Sequence, residues 1–192
     1  MEKIAVYGAS STQLPQKYYD AAARVGRLMG ERGLTMVNGA GCIGLMQASA
    51  DACLSAGGKV IGVIPTFMIE QDWHHKGLTQ LIETKTMAER KSIIEELSDA
   101  AIILPGGCGT FDEFFQIVTL KQLGLYLKPI VVLNTDGYFD PMLEMMQRAI
   151  AENFMRDVHG NIWRVADTPE EAINLIFTTP LWDTDIRRFA KI

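Results

Sequence analysis

The sequence predicts a doubly wound α/β domain, a Rossmann-like three-layer α/β/α fold with a mainly parallel sheet. Short runs of aliphatic and β-branched residues alternate with longer segments whose apolar residues recur at helical spacing. Most of the short runs are apolar almost without interruption, which is typical of strands buried on both faces of a parallel sheet. Because this alternation continues along the whole chain, we expect a single domain over residues 1–192.

The strand predictions rest on six short apolar runs. In chain order they are KIAVYG (3–8), LTMVNG (34–39), KVIGVIP (59–65), AAIILPG (100–106), KPIVVLN (128–134) and NIWRVA (161–166). Their aliphatic and β-branched residues favour strands, and the helical segments between them predict a sheet that is covered on both sides.

The helix predictions cover the segments between these strands, at about 15–32, 44–57, 86–98, 110–125, 140–153 and 169–177. Segment 66–79 is the least regular, and the tail 180–192 is expected to pack on the domain or on a partner chain. Ligands of open parallel sheets bind outside the carboxyl ends of the strands. The candidate functional loops therefore begin at Gly8, Gly39, Pro65 and Gly106.

Composition narrows the class of protein. The formal net charge is −5 and the isoelectric point is near 5.2, whereas a general nucleic-acid surface shows a basic excess, so no nucleic-acid partner is expected. The first residues enter a strand pattern at once, and no apolar run reaches the roughly 18 residues of a membrane span. We therefore expect a cytoplasmic protein without a membrane partner.

The cysteines and histidines do not suggest a metal site. Cys42, Cys53 and Cys108 are odd in number and far apart, and the chain has only three histidines. Neither set shows the spacing of a zinc site, so we expect reduced thiols and no metal.

The loop NGAGCIGLMQ has glycines in the G-x-G-x-x-G spacing, at Gly39, Gly41 and Gly44. Such glycines let a backbone approach a pyrophosphate. Two features oppose a dinucleotide site: the loop follows the second strand, and no acidic residue ends the next strand. The alternatives are a tight strand–helix turn and, as we prefer, a loop close to the ribose or phosphate of a nucleotide.

The stretch LPGGCGTFDEF (104–114) carries a stronger signal for an anion site. Gly106, Gly107 and Gly109 allow tight backbone angles, and the helix that follows offers free N–H groups and a positive dipole end. No Lys-Ser or Lys-Thr pair follows, so nucleoside triphosphate hydrolysis has little support.

Two other interpretations of this stretch remain open. Thr110 and Glu113 match a T-x-x-E capping box, in which the glutamate would only cap the helix. In the second interpretation, Cys108 is a nucleophile whose thiol is activated by the helix N-terminus, although no histidine lies near it in the sequence.

A basic pair, Arg90 and Lys91, lies one turn into the helix predicted at 86–98. Such a pair usually belongs to a solvated helix face. Arginine is also the residue type that makes fork-like contacts with phosphate or carboxylate groups.

Together these residues resemble a known family. M-x-x-R-K (Met87, Arg90, Lys91) followed by P-G-G-x-G-T-x-x-E (105–113) is similar to the Lonely Guy family of cytokinin riboside 5′-monophosphate phosphoribohydrolases, often labelled possible lysine decarboxylases. The resemblance extends from VYGASS through NGAGCIGLM and VIP to at least KPIVVLN. It implies hydrolysis of the N-glycosidic bond of a nucleoside 5′-monophosphate to the free base and ribose 5-phosphate. The Schiff-base lysine and pocket of a pyridoxal-dependent decarboxylase are not identifiable.

The resemblance implies Arg90 and Glu113 as the catalytic pair. It implies substrate binding by the backbone of Gly106, Gly107, Gly109 and Thr110 at the 5′-phosphate, and by Ser10, Gly41, Asp72, Met87 and Lys91 elsewhere in the pocket. The Glu113 carboxylate would stabilise an oxocarbenium-like transition state and activate water, while Arg90 would orient it and favour its ionised form. No cofactor is required. Asp72 and Asp112 stand where glutamate is frequent, Cys108 where tyrosine is frequent, and NGAG where YGGG is usual, departures that bear on base specificity.

The resemblance also implies at least a homodimer, with the helix at 86–98 close to the contact. The alternative function is a binding or carrier module for a nucleotide or cofactor, since related Rossmann-like folds bind molybdenum cofactor or single-stranded DNA. Retention of both Arg90 and Glu113 favours the enzyme. Cys108 is expected to be a bystander, because at its position in the motif only the backbone N–H must reach the phosphate.

Overall fold

Seven strands pair in register to form one parallel sheet in the computed structural model, which describes residues 1–183. The strands are β1 (Lys3–Tyr7), β2 (Thr35–Asn38), β3 (Lys59–Pro65), β4 (Gln80–Thr84), β5 (Ala100–Ile103), β6 (Ile130–Leu133) and β7 (Arg164–Ala166). Their order in the sheet is β4-β3-β2-β1-β5-β6-β7, and every neighbouring pair is parallel. The predicted doubly wound fold is confirmed.

Helices cover both faces of this sheet. They are α1 (Gln16–Glu31), α2 (Gly44–Ser55), α3 (Thr66–Glu70), α4 (Met87–Leu97), α5 (Cys108–Gln122), α6 (Asp140–Ala151) and α7 (Pro169–Thr178). Strand side chains alternate between two cores: Ile4 and Val6 pack with α1, α2 and α7, whereas Ala5 and Tyr7 pack with α4, α5 and α6. Burial on both faces explains why these strands are apolar almost throughout.

Small residues bring α1 and α2 unusually close together. A Cβ atom at Gly26 would lie 2.0 Å from the carbonyl oxygen of Ser49, and one at Gly30 would lie 2.6 Å from that of Cys53. Glycine at both positions is therefore required for this packing, which draws the loops that precede the two helices toward each other.

The sheet reverses its winding direction between β1 and β5. From β1 the chain winds outward through β2, and from β5 it winds to the other side through β6. The loops after these two strands meet, because Ala9 N–H donates to the Pro105 carbonyl at 3.1 Å. The start of α2 joins them, since Leu45 N–H donates to the Ala9 carbonyl at 2.8 Å. A crevice at such a reversal is the usual ligand site of the fold.

Two predicted regions differ in the structure. The strand Gln80–Thr84 was not predicted because it lies at the sheet edge, is mostly exposed and lacks a continuous apolar run; the short helix Thr66–Glu70 precedes it. The strand predicted at 161–166 is shorter, because the 3-10 helix Asp157–Asn161 takes up its start and only Arg164–Ala166 pairs with β6.

The described part of the tail packs on the domain. Trp182 N–H donates to the Leu127 carbonyl at 2.8 Å, and the Lys121 ammonium lies 5.6 Å from the centre of the Trp182 ring. The rest of the predicted tail, residues 184–192, lies outside the described residues. No helix within residues 1–183 is long and apolar enough to cross a membrane.

Candidate active site

Helix α4 places Arg90 at the carboxyl edge of the sheet. The Thr86 side chain caps the helix by accepting from Glu89 N–H at 3.1 Å. Arg90 then follows on the inner face and is only 5% exposed. Its Nε donates to the Val63 carbonyl at 3.1 Å and its Nη1 donates to Glu113 Oε1 at 3.0 Å. Two fixed acceptors therefore define the plane of the guanidinium, and Arg90 does not belong to a solvated helix face.

The second glycine loop is shaped around this guanidinium. A Cβ atom at Gly39 would lie 1.7 Å from Arg90 Nη2, so only glycine leaves room for the side chain. Gly41 is buried against Met46, and Gly44 has a φ of 70° and packs against the backbone of Ser10. The loop is a tight strand–helix turn whose glycines meet other parts of the chain. Its predicted proximity to a ribose or phosphate stays a prediction.

Helix α5 brings Glu113 to Arg90 and does not use it as a cap. The helix begins at Cys108 with Gly107 at the N-cap, and Phe111 N–H donates to the Gly107 carbonyl at 2.9 Å. The capping-box interpretation of Thr110 and Glu113 is wrong, because the helix starts two residues earlier than predicted and no side chain caps it. The Glu113 carboxylate, 8% exposed, instead meets Arg90.

Burial controls the protonation of Glu113. Removal from water raises the pKa of its carboxyl to about 7, and the Arg90 charge opposes this rise without cancelling it. The charge of Asp112 also raises the pKa of Glu113, while that of Lys91 lowers it. A carboxyl that titrates near neutral pH is suited to general acid–base chemistry.

Lys91 lies on the outer side of this pair. Its Nζ is 2.8 Å from Asp112 Oδ2, and the lysine side chain is only 15% exposed while the aspartate is largely exposed. The structure therefore places Lys91 next to the residue that precedes Glu113, with Asp112 as its ion-pair partner. Its predicted contact with substrate stays a prediction.

The loop between β5 and α5 presents unpaired donors at the same edge. Within residues 1–183 the main-chain N–H groups of Gly107, Cys108 and Gly109 donate no hydrogen bond, and all three residues are exposed. Thr110 is buried behind them, and a Cβ atom at Gly106 would lie 2.1 Å from its hydroxyl. Donors of this kind at a helix N-terminus suit a phosphate group.

A cavity of about 280 Å³ opens beside this loop, at the reversal between β1 and β5. Its walls come from the loops after β1, β5 and β6 and from the start of α1. They consist of Ala9, Ser11, Leu14, Tyr18, Pro105, Gly106, Gly107 and Tyr138. Two of the four candidate functional loops, those beginning at Gly8 and Gly106, therefore border one cavity.

Asp72 and Met87 are both solvent-exposed. Asp72 is exposed in a left-handed turn with a φ of 59°, and its carboxylate is 2.9 Å from Lys76 Nζ. Its segment does reach the second glycine loop, since Cys42 N–H donates to the Trp73 carbonyl at 3.1 Å. Met87 is the first residue of α4 and is 40% exposed. Within residues 1–183 the Asp72 carboxylate forms no hydrogen bond or ion pair with Arg90 or Glu113. The predicted substrate contacts of Asp72 and Met87 stay predictions.

Sequence reasoning missed three partners of the site: the Val63 carbonyl, Gly39 as the neighbour of Arg90, and Tyr138. The glycine spacing had singled out Gly39, but for a ligand and not for an arginine. Tyr138 donates its hydroxyl to the Gly106 carbonyl at 2.6 Å, although 32 residues separate the two. No group of three or more His, Cys, Asp and Glu within residues 1–183 is arranged to hold a metal ion.

Comparison with known proteins identifies relatives over most of the chain. Residues 46–176 match the family model described as "Possible lysine decarboxylase". A cytokinin riboside 5′-monophosphate phosphoribohydrolase from Rhodococcoides fascians is 42% identical over 140 residues, which are 72% of this chain and 71% of the relative. A protein of the same name from Oryza sativa subsp. japonica is 36% identical over 171 residues, which are 89% of this chain and 71% of the relative.

Among solved structures, the molybdenum cofactor binding protein from Rippkaea orientalis is similar with a TM-score of 0.72. The match covers 92% of this chain and 96% of that chain. Because the two sequences are 22% identical, this similarity supports the shared fold alone.

Proposed function

Because the chain belongs to the Lonely Guy family of cytokinin riboside 5′-monophosphate phosphoribohydrolases, we propose that it is a hydrolase of purine nucleoside 5′-monophosphates. The substrate is AMP or an N6-modified cytokinin riboside 5′-monophosphate, and the products are the free base and ribose 5-phosphate. One observation supports this most directly: a buried Arg90–Glu113 pair at 3.0 Å lies at the same sheet edge as the unpaired N–H groups of the loop after β5.

The chemistry follows from these groups. The N–H groups of the loop after β5 bind the 5′-phosphate and so anchor the nucleotide at the carboxyl edge. As the bond between C1′ and the base nitrogen breaks, the Glu113 carboxylate stabilises the positive charge on the sugar. The same carboxylate takes a proton from the water whose oxygen bonds to C1′, while the departing base nitrogen takes up a proton from solvent, and Glu113 afterwards releases its proton to solvent. Arg90 holds the carboxylate in place and favours its ionised form.

The family model's description as a decarboxylase has less support. A pyridoxal enzyme needs a lysine amine that is free to form a Schiff base in a cofactor pocket. The buried lysine in the described residues is Lys121, whose pKa burial lowers to about 8. Its Nζ donates to the Lys128 carbonyl at 2.6 Å, at the opposite end of α5 from Glu113. This lysine therefore stabilises the fold away from the candidate site.

Incubation of the purified protein with AMP and with isopentenyladenosine 5′-monophosphate tests the proposal directly. We expect free base and ribose 5-phosphate in equal amounts, and no base from the corresponding nucleosides, which lack the phosphate. Nucleotide binding without base release would favour the carrier alternative. Comparison of kcat/KM for the two nucleotides would identify the preferred base.

The pH dependence of kcat/KM is expected to report Glu113. The group acts in its ionised form, so activity should rise with pH through about 7, the pKa of the buried carboxyl. Ionisation of the substrate phosphate near pH ~6 would produce a similar rise, so a variant must separate the two. Asp112→Asn removes a negative charge that raises the pKa of Glu113, and we expect the rise to move to lower pH. An unchanged profile in Asp112→Asn would argue against Glu113 as the titrating group.

Cys108 is expected to be dispensable for catalysis. It is the first residue of α5 and is exposed, so only its main-chain N–H is needed at the phosphate. Cys108→Ser and Cys108→Ala should both keep most of the base release. A loss of about a hundredfold in both, or about 2.7 kcal/mol of barrier, would make the thiol part of the chemistry. Alkylation is a poorer test, because an adduct would block the pocket by its bulk.

We also propose at least a homodimer, chiefly on the family resemblance, with α4 close to the contact. Only Arg90 and Ile94 of this helix are fully buried in its own chain, and the face that carries Glu89, Ser92 and Glu96 is exposed and open to a partner. Light scattering of the active protein at micromolar concentration should give at least twice the chain mass of 21.3 kDa. A fully active species with the mass of one chain would refute the dimer.

A further inference from the structure

The loop between β5 and α5 is held by its carbonyl groups. The Pro105 carbonyl accepts from Ala9 N–H at 3.1 Å, and the Gly107 carbonyl accepts from Phe111 N–H at 2.9 Å. Both donors are main-chain groups that no substitution removes, except by proline. The carbonyl between them, that of Gly106, accepts from the Tyr138 hydroxyl at 2.6 Å. Among these three carbonyls, only that of Gly106 depends on a side chain.

The direction of this carbonyl determines the direction of a donor. In a planar trans peptide the C=O and N–H groups point to opposite sides, so the Gly107 N–H points away from Tyr138. Gly106 and Gly107 flank this peptide, and a Cβ atom at Gly107 would meet nothing within 4 Å. Gly106 is packed against Thr110 and Ala9, whereas Gly107 has open space around it and the wide choice of backbone angles of glycine, so packing restrains this peptide on the Gly106 side alone. Loss of the Tyr138 hydrogen bond would let the N–H turn away from the site.

Tyr138 is itself held in a fixed position. The Asn134 side chain bridges the turn after β6, accepting from Phe139 N–H at 2.7 Å and donating to Asp140 Oδ1 at 2.7 Å. The Tyr138 ring packs edge-on against Tyr18, with ring centres 5.7 Å apart. The hydroxyl therefore reaches Gly106 from a preorganised turn, and a phenylalanine at this position would keep the ring contacts.

We propose that Tyr138 is a positioning residue for phosphate binding, which acts by holding the Gly106 carbonyl so that the Gly107 N–H faces the substrate's 5′-phosphate. This inference rests on the proposed function, and it adds the β6–α6 connection to the site. Tyr138 stabilises the bound phosphate through the loop and takes no part in breaking the glycosidic bond. Its loss should therefore weaken binding of phosphate-bearing ligands while leaving the chemical step largely unchanged.

The test compares Tyr138→Phe with a tyrosine-to-phenylalanine control outside the candidate site. Tyr138→Phe removes the hydroxyl that donates to the Gly106 carbonyl, whereas Tyr126→Phe removes a buried hydroxyl that lies beyond the opposite end of α5 from the loop. Binding of ribose 5-phosphate and AMP is measured by calorimetry, and KM and kcat are measured with AMP. In Tyr138→Phe we expect both dissociation constants and KM to rise about five- to tenfold, the effect of one hydrogen bond, with kcat changed less than about twofold. Tyr126→Phe should match the wild type in ligand affinity, KM and kcat.

Several outcomes would overturn the inference. Equal affinity of Tyr138→Phe and wild type for ribose 5-phosphate would show that the hydroxyl does not position the loop. A fall in melting temperature and kcat with unchanged KM would assign the hydrogen bond to stability alone. Failure of the wild type to bind either phosphate ligand would also refute it. Binding with no base release by the wild type would refute the proposed hydrolase but not this inference, because calorimetry does not depend on turnover.

Discussion

Glu113→Gln is expected to lower kcat for base release by about a thousandfold or more, in the range of lost general-base and electrostatic catalysis, while the protein stays folded. Glutamine has nearly the same volume, and its amide oxygen is still able to accept from Arg90 Nη1, which donates to Glu113 at 3.0 Å in the structure. It has no negative charge to stabilise the developing cation and no basicity to take a proton from water. The substitution therefore removes the chemistry and keeps most of the packing.

The measurement is single-turnover release of base from AMP, together with a thermal melt and the affinity for ribose 5-phosphate. Asp112→Asn is the matched control, since Asp112 precedes Glu113 in the same turn but its side chain is 57% exposed and pairs with Lys91. The control should retain base release, with the shifted pH profile described above. If Glu113→Gln keeps its activity and only its melting temperature falls, Glu113 has a structural role and the mechanism is wrong.

Arg90→Ala is expected to lower kcat/KM by about a hundredfold or more, a range typical of lost electrostatic stabilisation, and to affect turnover far more than stability. Alanine removes the donor that orients the Glu113 carboxylate and the positive charge that lowers the pKa of that group. At pH 7 a larger fraction of Glu113 is then protonated and inactive. The remaining activity should therefore rise through a higher pH than in the wild type, which a kcat/KM profile would detect.

Arg90→Lys separates charge from geometry. Lysine keeps the positive charge but lacks the planar fork that contacts both the Val63 carbonyl and Glu113, so activity should stay well below wild type. Arg24→Ala is the control, because Arg24 pairs with Glu170 on an exposed surface and should be silent in the assay. If Arg90→Ala keeps activity close to that of the wild type, Arg90 has only a structural role and takes no part in catalysis.

The strand predictions were correct where a strand is buried on both faces, because such a strand is a continuous run of apolar residues in the sequence. The strands β1, β3, β5 and β6 are covered on both faces, so nearly every position is apolar and the run is visible in the sequence. The edge strand Gln80–Thr84 has no such coverage and depends on pairing with β3, a contact that no local pattern records. Its absence from the prediction therefore has a physical cause.

The start of α5 is a second place where the local sequence pattern does not record the contact that decides the structure. The T-x-x-E pattern matched a capping box, but two glycines before Thr110 let the helix begin at Cys108, and the backbone of Gly107 serves as its N-cap. Only the position of Arg90 shows why Glu113 points inward instead of capping the helix. The local pattern paired Glu113 with the start of its own helix, because its actual partner, Arg90, lies on another helix.

The sequence by itself determined six of the seven strands, the doubly wound class and the residue types at Arg90 and Glu113, since these depend on local periodicity and on a recognisable motif. Tertiary structure alone decided that these two side chains, 23 residues apart, lie 3.0 Å from each other. It also decided that Gly39 makes room for Arg90 and that Tyr138 reaches Gly106. The physical reason is that burial, pairing and the raised pKa of Glu113 come from groups that are distant in the chain and meet only where α4, α5 and the loop after β6 converge on one edge of the sheet.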